Sequence, residues 1–327
     1  MRINLRVHAA IGIITLAALT ACGGSDSQSP SGTGGSAGLE TTELTVGILP
    51  VPDNAALFIA REKGFFEDEG LTVKTETIQG GAAAIPSLRS GTLDVSMTNY
   101  VSAFVAAEAG VKLKIITDLY QAGPDVFNII AAKDSPVSSV ADLKGRTIAV
   151  NTLKNIGTLA VTTTLKSGGL TAGDVKFVEM PLPNMAAALQ KGDIDAAWTT
   201  EPFLTGAQKG IGAKKIADTM TGPMDGFPIA GFAVTAEFAE KNPKSLAAFQ
   251  RAVAKAQQLA AADRKAVEKV LPTYTKIDAA TAAAIKLGTF PTAMDPQRLQ
   301  RVADVMLQQQ YLKSSIDAAT LILGPTG

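Results

Sequence analysis

A short phrase occurs twice in this chain, 101 residues apart, and it limits the folds available. Leu88-Arg89-Ser90-Gly91-Thr92-Leu93-Asp94 and Leu189-Gln190-Lys191-Gly192-Asp193-Ile194-Asp195 share Leu, Gly and Asp at matching places. Upstream, Gly70-Leu71 before Val73-Lys74 is matched by Gly169-Leu170 before Val175-Lys176. Each copy reads as helix, glycine, strand, loop, helix, Gly-x-x-Asp, strand. Glycine just past the last apolar turn stops a helix, and short strands separated by helices build an α/β sheet. At 327 residues the chain is also too long for one ordinary domain. Two similar α/β lobes are predicted.

The pattern places strands at 44–49, 71–78, 94–97 and 112–119, with helices at 55–63, 81–89 and 100–109. A second series has strands at 127–132, 147–151, 175–179, 194–198 and 229–235, with helices at 156–167 and 184–191. From Asn242 onward the chain reads as helical, at 243–260, 263–270, 278–287 and 296–310, with breaks at Pro272, Pro291 and Pro296. These last helices are expected to return and complete the first lobe. The predicted boundaries are 43–122 with 238–327 for lobe 1, and 123–237 for lobe 2.

The first residues read as a targeting segment. Arg2 and Arg6 precede the apolar run at 9–21, which is too short to span a bilayer as a helix. It ends in Leu19-Thr20-Ala21-Cys22, similar to a bacterial lipobox, in which the cysteine is acylated and becomes the first residue. Residues 1–21 are therefore expected to be a lipoprotein signal peptide, with Cys22 as the lipidation site. Residues 23–38 hold six Gly and five Ser, so 22–42 is predicted to be a flexible tether, and the protein is placed on the extracytoplasmic face of the cell membrane.

Composition removes whole classes of function. Lys+Arg and Asp+Glu both total 30, which gives no electrostatic case for nucleic acid. Loss of residues 1–21 takes Arg2, Arg6 and the single His8, and leaves 28 basic against 30 acidic groups. The mature chain then has no His and no Cys except Cys22. Thiol nucleophiles, His bases, disulfides and His or thiolate metal sites are excluded. No cofactor, metal or catalytic residue is expected, and binding is favoured over catalysis.

In open α/β sheets, ligands sit beyond the carboxyl ends of the strands, near helix starts that favour anions. Four such places stand out. After the first strand, Asp53 or Asn54 caps the next helix, and Asn54 is the candidate to face a ligand as well. Gly80 and Gly81 bare the backbone after the second strand, or form a plain turn. Thr98, Asn99 and Tyr100 follow the next strand. Thr152, Asn155, Gly157 and Thr158 open a helix after residue 151, where capping competes with an anion cradle. The counterpart of Thr98 in the repeat is Thr199, beside the only tryptophan, Trp198, and Glu201-Pro202. Trp198 and Glu201 read as an aromatic floor with one carboxylate, suited to a cation or N–H donors. Asp193 and Asp195 are read as structural, because Asp195 matches Asp94.

The run Phe58-Ile59-Ala60-Arg61-Glu62-Lys63-Gly64-Phe65-Phe66 to Glu69-Gly70-Leu71 carries a resemblance, supported by Gly80-Gly81, Ser90 to Val95, Asp142-Leu143-Lys144-Gly145 and Trp198 to Pro202. Over about 40–320 the chain resembles the substrate-binding subunits of ABC importers, in the nitrate/sulfonate/taurine and aminopyrimidine branch. The resemblance implies the type II periplasmic-binding-protein fold, with two mixed sheets flanked by helices and a cleft between lobes. It also implies a small-molecule solute, a permease with its ATPase as partners, and a monomer. The enzymes of this superfamily, the aminopyrimidine synthases, consume a His and carry a Cys-rich iron site, and the mature chain has neither. Nitrate binders use basic groups, for which only Lys154 is at hand. Two ligand readings stay open, a taurine-like zwitterion and an aminopyrimidine-like heterocycle. A sensor presenting solute to a membrane receptor is the alternative role.

Overall fold

The computed structural model describes residues 38–324. The expected signal peptide, Cys22 and most of the tether lie outside the described residues. The rest forms two five-stranded sheets, in the orders β2-β1-β3-β10-β4 and β7-β6-β8-β5-β9. The first holds β1 (Glu43–Ile48), β2 (Thr72–Thr77), β3 (Val95–Asn99), β4 (Leu113–Gln121) and β10 (Pro228–Thr235). The second holds β5 (Phe127–Ala131), β6 (Thr147–Val150), β7 (Lys176–Glu179), β8 (Ala196–Thr200) and β9 (Lys214–Asp218).

The two sheets have one plan. Strands β2, β1 and β3 pair in parallel, as do β7, β6 and β8. The fourth strand of each is antiparallel and arrives from the other lobe: β5 follows β4, and β10 follows β9. The chain thus crosses twice, at 122–126 and 219–227, and the two crossings are joined by the Ala122 N–H donating to the Phe227 carbonyl at 2.9 Å. The strand expected at 229–235 belongs to lobe 1, which moves the predicted lobe 2 boundary back from 237. Pairing partners, not chain order, decide lobe membership. The strand Lys214–Asp218 was not expected, because its two lysines break the apolar pattern. Residues Glu40 and Thr41, assigned to the tether, are docked instead: Glu40 accepts from the Ser245 N–H at 2.9 Å, and the Thr41 N–H donates to Ser245 Oγ at 3.0 Å.

The repeated motif has the same job in both lobes. Gly91 and Gly192 end their helices with φ of 73° and 76°, a conformation that costs glycine little. Three residues later the aspartate closes a two-way brace. The Thr45 N–H donates to Asp94 Oδ2 at 2.7 Å, and the Asp94 N–H donates to the Thr45 carbonyl at 3.0 Å. In lobe 2, Thr147 and Asp195 make the same pair at 2.8 and 3.0 Å. The strands that follow, β3 and β8, are buried at every residue and form the middle of each sheet.

The C-terminal helices pack on lobe 1. The outer edge of β4 would otherwise expose free carbonyls. Gln250 and Gln257, two turns apart on the helix Pro243–Ala262, donate to the Ile116 and Leu119 carbonyls at 2.7 and 2.6 Å. Because the two backbone braces are equivalent, and the Arg146–Asp195 ion pair at 3.2 Å is half-exposed and adds little, Asp94→Ala and Asp195→Ala should each destabilise the protein by about 1–3 kcal/mol. Denaturant melts of both variants check this, and a large asymmetry would contradict the equivalence.

Candidate functional site

The carboxyl ends of β1, β3, β6 and β8 converge on one cavity between the lobes. Lobe 1 supplies Leu49, Val51, Asp53, Gly80, Gly81, Met97, Asn99 and Ile229, and lobe 2 supplies Phe127, Asn151, Ile156, Leu182, Trp198 and Thr200. The space open to water centres is about 30 Å³, too little for an organic solute in this arrangement of the lobes. The lobes touch directly above it. Gln79 and Asn151 exchange side-chain amide to backbone carbonyl bonds, both at 3.3 Å. Gly80 permits this approach, since a Cβ there would stand 2.6 Å from Asn151 Nδ2. Away from the cavity, the Thr158 and Tyr311 hydroxyls form a second clasp between lobes.

Strand alternation sorts the candidate residues. Met97 and Asn99 lie on the cavity face of β3, which turns Thr98 to the opposite side, against Gly81. Likewise Trp198 and Thr200 face the cavity and Thr199 does not. Gly80, Gly81, Asn99 and Trp198 are the four candidates brought together in the cavity wall. The helix Gly81–Ser90 starts there without a side-chain cap, and the Asn99 side chain caps the next helix through the Ser102 N–H at 2.9 Å. Trp198 stacks on Phe127 with ring centroids 5.6 Å apart, and its indole N–H donates to Thr219 Oγ1 at 3.0 Å. Its polar edge is spent inside the protein, and it offers the cavity only ring surface.

The other candidates are placed elsewhere. Tyr100 is fully buried and donates to Asp118 Oδ1 at 2.7 Å, and Asp118 in turn pairs with Arg298. Asn155 is consumed by its neighbours: it accepts from the Gly157 N–H and donates to Asn151 and Thr152. Thr158 completes that capping box, so the segment is a cap and the anion cradle does not form. Gly157 instead makes room for the indole, as a Cβ would stand 2.7 Å from Trp198. Thr152 packs on Gly80, and Asn54 braces its own turn by donating to the Leu49 carbonyl at 2.7 Å.

Glu201 lines a different cavity, with Asp125, Lys215 and Lys286. Its oxygens accept from the Thr205 N–H and hydroxyl at 3.1 and 2.8 Å and from the Lys286 N–H at 3.4 Å. Burial raises its pKa although these bonds pull the other way. The side chain caps the helix Phe203–Ile211 and ties it to the C-terminal segment.

The carboxyl in the interlobe cavity is Asp53, which sequence reasoning treated as an alternative cap. It is 2% exposed. Its Oδ1 has no hydrogen-bond partner, and neither has Oγ1 of Thr200 across the cavity. No side chain caps the turn Pro52–Asn54 or the helix Ala55–Glu62 after it. Burial pushes the Asp53 carboxyl up to about 7. The sign of the linkage follows: the folded state holds this proton between about pH 4 and 7 and the unfolded state does not, so stability falls as pH rises through that window. Asp53→Asn, which keeps the shape without the charge, should raise stability by up to about 4 kcal/mol near pH 8 and change nothing near pH 4. Melts at the two pH values test this, and equal effects at both would contradict it.

Among the described residues, no cluster of three or more His, Cys, Asp or Glu is placed to hold a metal ion. No described helix is long and apolar enough to cross a membrane.

Comparison with known proteins agrees with the resemblance. A taurine-binding periplasmic protein of Escherichia coli is 29% identical over 195 residues, covering 59% of this chain and 59% of that protein. The riboflavin-binding protein RibY of Chloroflexus aurantiacus is 26% identical over 193 residues, covering 55% of this chain and 53% of that protein. The matched part thus spans less than two thirds of these curated relatives. The alkanesulfonate-binding protein SsuA of Xanthomonas axonopodis pv. citri, solved with MOPS, superimposes with a TM-score of 0.72, covering 87% of this chain and 99% of that chain at 18% identity. That likeness speaks for the fold, the two-lobed type II architecture. The model of the NMT1-like family matches residues 37–272, well over half of the chain, and the protein belongs to that family.

Proposed function

We propose that this chain is the extracytoplasmic solute-binding subunit of an ABC importer, held at the membrane through a lipidated Cys22. It captures a small polar organic solute by closure of the lobes and delivers it to a permease and ATPase. The observation that carries the reading is the cavity walled by both lobes at the carboxyl ends of both sheets. An occupant there gains its full set of contacts only in the closed form, so binding draws the population toward closure. The relatives that bind taurine and riboflavin support the reading.

The lining also bears on the two ligand readings. A taurine-like zwitterion would set its sulfonate on the uncapped amides at Gly80–Gly81 and its ammonium on Asp53. An aminopyrimidine-like heterocycle would lie against the Trp198 ring and donate N–H to Asp53. In both, Asp53 takes the part first given to Glu201.

A thermal-unfolding panel on the purified protein, stripped by unfolding and refolding, tests the proposal. It should contain taurine, alkanesulfonates, nitrate and aminopyrimidines. A ligand at a thousandfold its dissociation constant adds about 4 kcal/mol. Trp198→Ala should remove the shift and Glu201→Gln should preserve it. A shift that survives Trp198→Ala would place binding outside the cleft.

A further inference from the structure

The interlobe cavity has one ionisable side chain in its wall, the Asp53 carboxyl, and no lysine, arginine or histidine. Asp53 forms no ion pair among the described residues, and its Oδ1 is buried and unpartnered. The titratable groups that face it are two phenols, Tyr120 from β4 and Tyr274 from the helix Arg264–Tyr274. Neither is hydrogen-bonded to it: Tyr120 accepts from the Gly288 N–H, and Tyr274 donates to the Val51 carbonyl. Glu201 and Arg264 act one step further away, on Tyr120.

A buried carboxylate without a partner is costly, and the fold keeps this one at the place where the solute enters. Once the carboxyl is ionised, removing that cost requires a positive or strongly N–H-donating group delivered from outside. A bare anion would add a second negative charge beside the first in a site without a base. The rest of the wall carries no charge: it is largely aliphatic and aromatic, with the stacked Trp198 and Phe127 rings on one side and Leu49, Val51 and Ile229 among the residues opposite, and its neutral polar side chains are Asn99, Asn151 and Thr200.

We infer that Asp53 is the anchor of the solute, and that the solute belongs to the class carrying a protonated amine, an amidinium or an amino-heterocycle on a compact apolar or planar body. The inference rests on the cleft being the solute site and narrows what it accepts. Nitrate and simple alkanesulfonates, which lack a donor, are then poor ligands. Capture also depends on pH. Burial holds the Asp53 carboxyl up at about 7, so the ionised form that pairs with the donor is lost as pH falls below that value.

The test compares matched compounds with and without the donor: taurine and ethanesulfonate, benzamidine and acetophenone, phenethylamine and methyl phenethyl ether. Each is titrated at millimolar concentration into the wild-type protein, Asp53→Asn and Trp198→Ala. The expected result is that at least one donor compound binds about thirtyfold or more tighter than its partner. Asp53→Asn should remove that preference, as expected for a desolvated charged pair. Its affinity should fall about tenfold per pH unit below about 7 in the wild type and stay flat in Asp53→Asn. If a donor-free compound binds as tightly, if Asp53→Asn keeps the preference, or if no donor compound binds, the solute class is overturned. The cleft reading fails separately, when binding is indifferent to Trp198→Ala.

Discussion

In each lobe an aspartate carboxylate holds the central strand against its parallel neighbour, and the site depends on where that brace sets the strands. Asp94 fixes β3 to the backbone of Thr45, and Asp195 fixes β8 to Thr147. The register that follows pairs Val46 with Val95 in one sheet and Ile148 with Ala196 in the other. With the starts of these strands level, their carboxyl ends deliver Asp53, Asn99, Asn151, Trp198 and Thr200 to one cavity. The glycine three residues before each aspartate is part of the same device, because only a left-handed turn brings the chain from helix to brace in so few residues.

The cavity that results keeps one carboxyl in its wall, and that carboxyl has an unpartnered oxygen. Most buried polar groups here are answered within the protein: Tyr100 by Asp118, Asn155 by Gly157 and Thr152, Glu201 by Thr205. Asp53 and Thr200 are the polar residues of the cavity wall that keep an unanswered side-chain oxygen. Natural folds tolerate such a defect where function requires it. The aromatic pair beside it is held by stacking and by the indole bond to Thr219, so this wall of the cavity is preformed.

Much of the fold was legible because it is written locally. The repeat gave two lobes, the helix-stop glycines are where the pattern put them, and Asp94 and Asp195 proved structural. The swapped strands were not legible, since β5 and β10 look like their neighbours and only pairing assigns them to a sheet. Of the residues named at the strand-end turns, Gly80, Gly81, Asn99 and Trp198 line the cavity and their neighbours face away from it. Period-two alternation would have separated Thr98 from Asn99 and paired Trp198 with Thr200. Capping competed with ligand contact at Asn155 and Thr158 and won, because a helix start buried at a lobe boundary must satisfy its own amides first. Asp53 was passed over because Asp and Asn side by side in a turn are equally good caps by type. Only the structure shows that the Asn54 amide donates back to Leu49 while Asp53 lines the cavity with an unpartnered Oδ1.

The central claim is that a donor group on the solute completes an unfinished ion pair or hydrogen bond at Asp53. The most direct measurement is a crystal structure of the protein with the tightest-binding donor compound. The account predicts a ligand nitrogen within hydrogen-bond distance of Asp53 Oδ1, about 2.7–3.2 Å, with the body of the ligand against Trp198. A solute in the cleft that presents no donor to Asp53, or one bound outside the cleft, would contradict it.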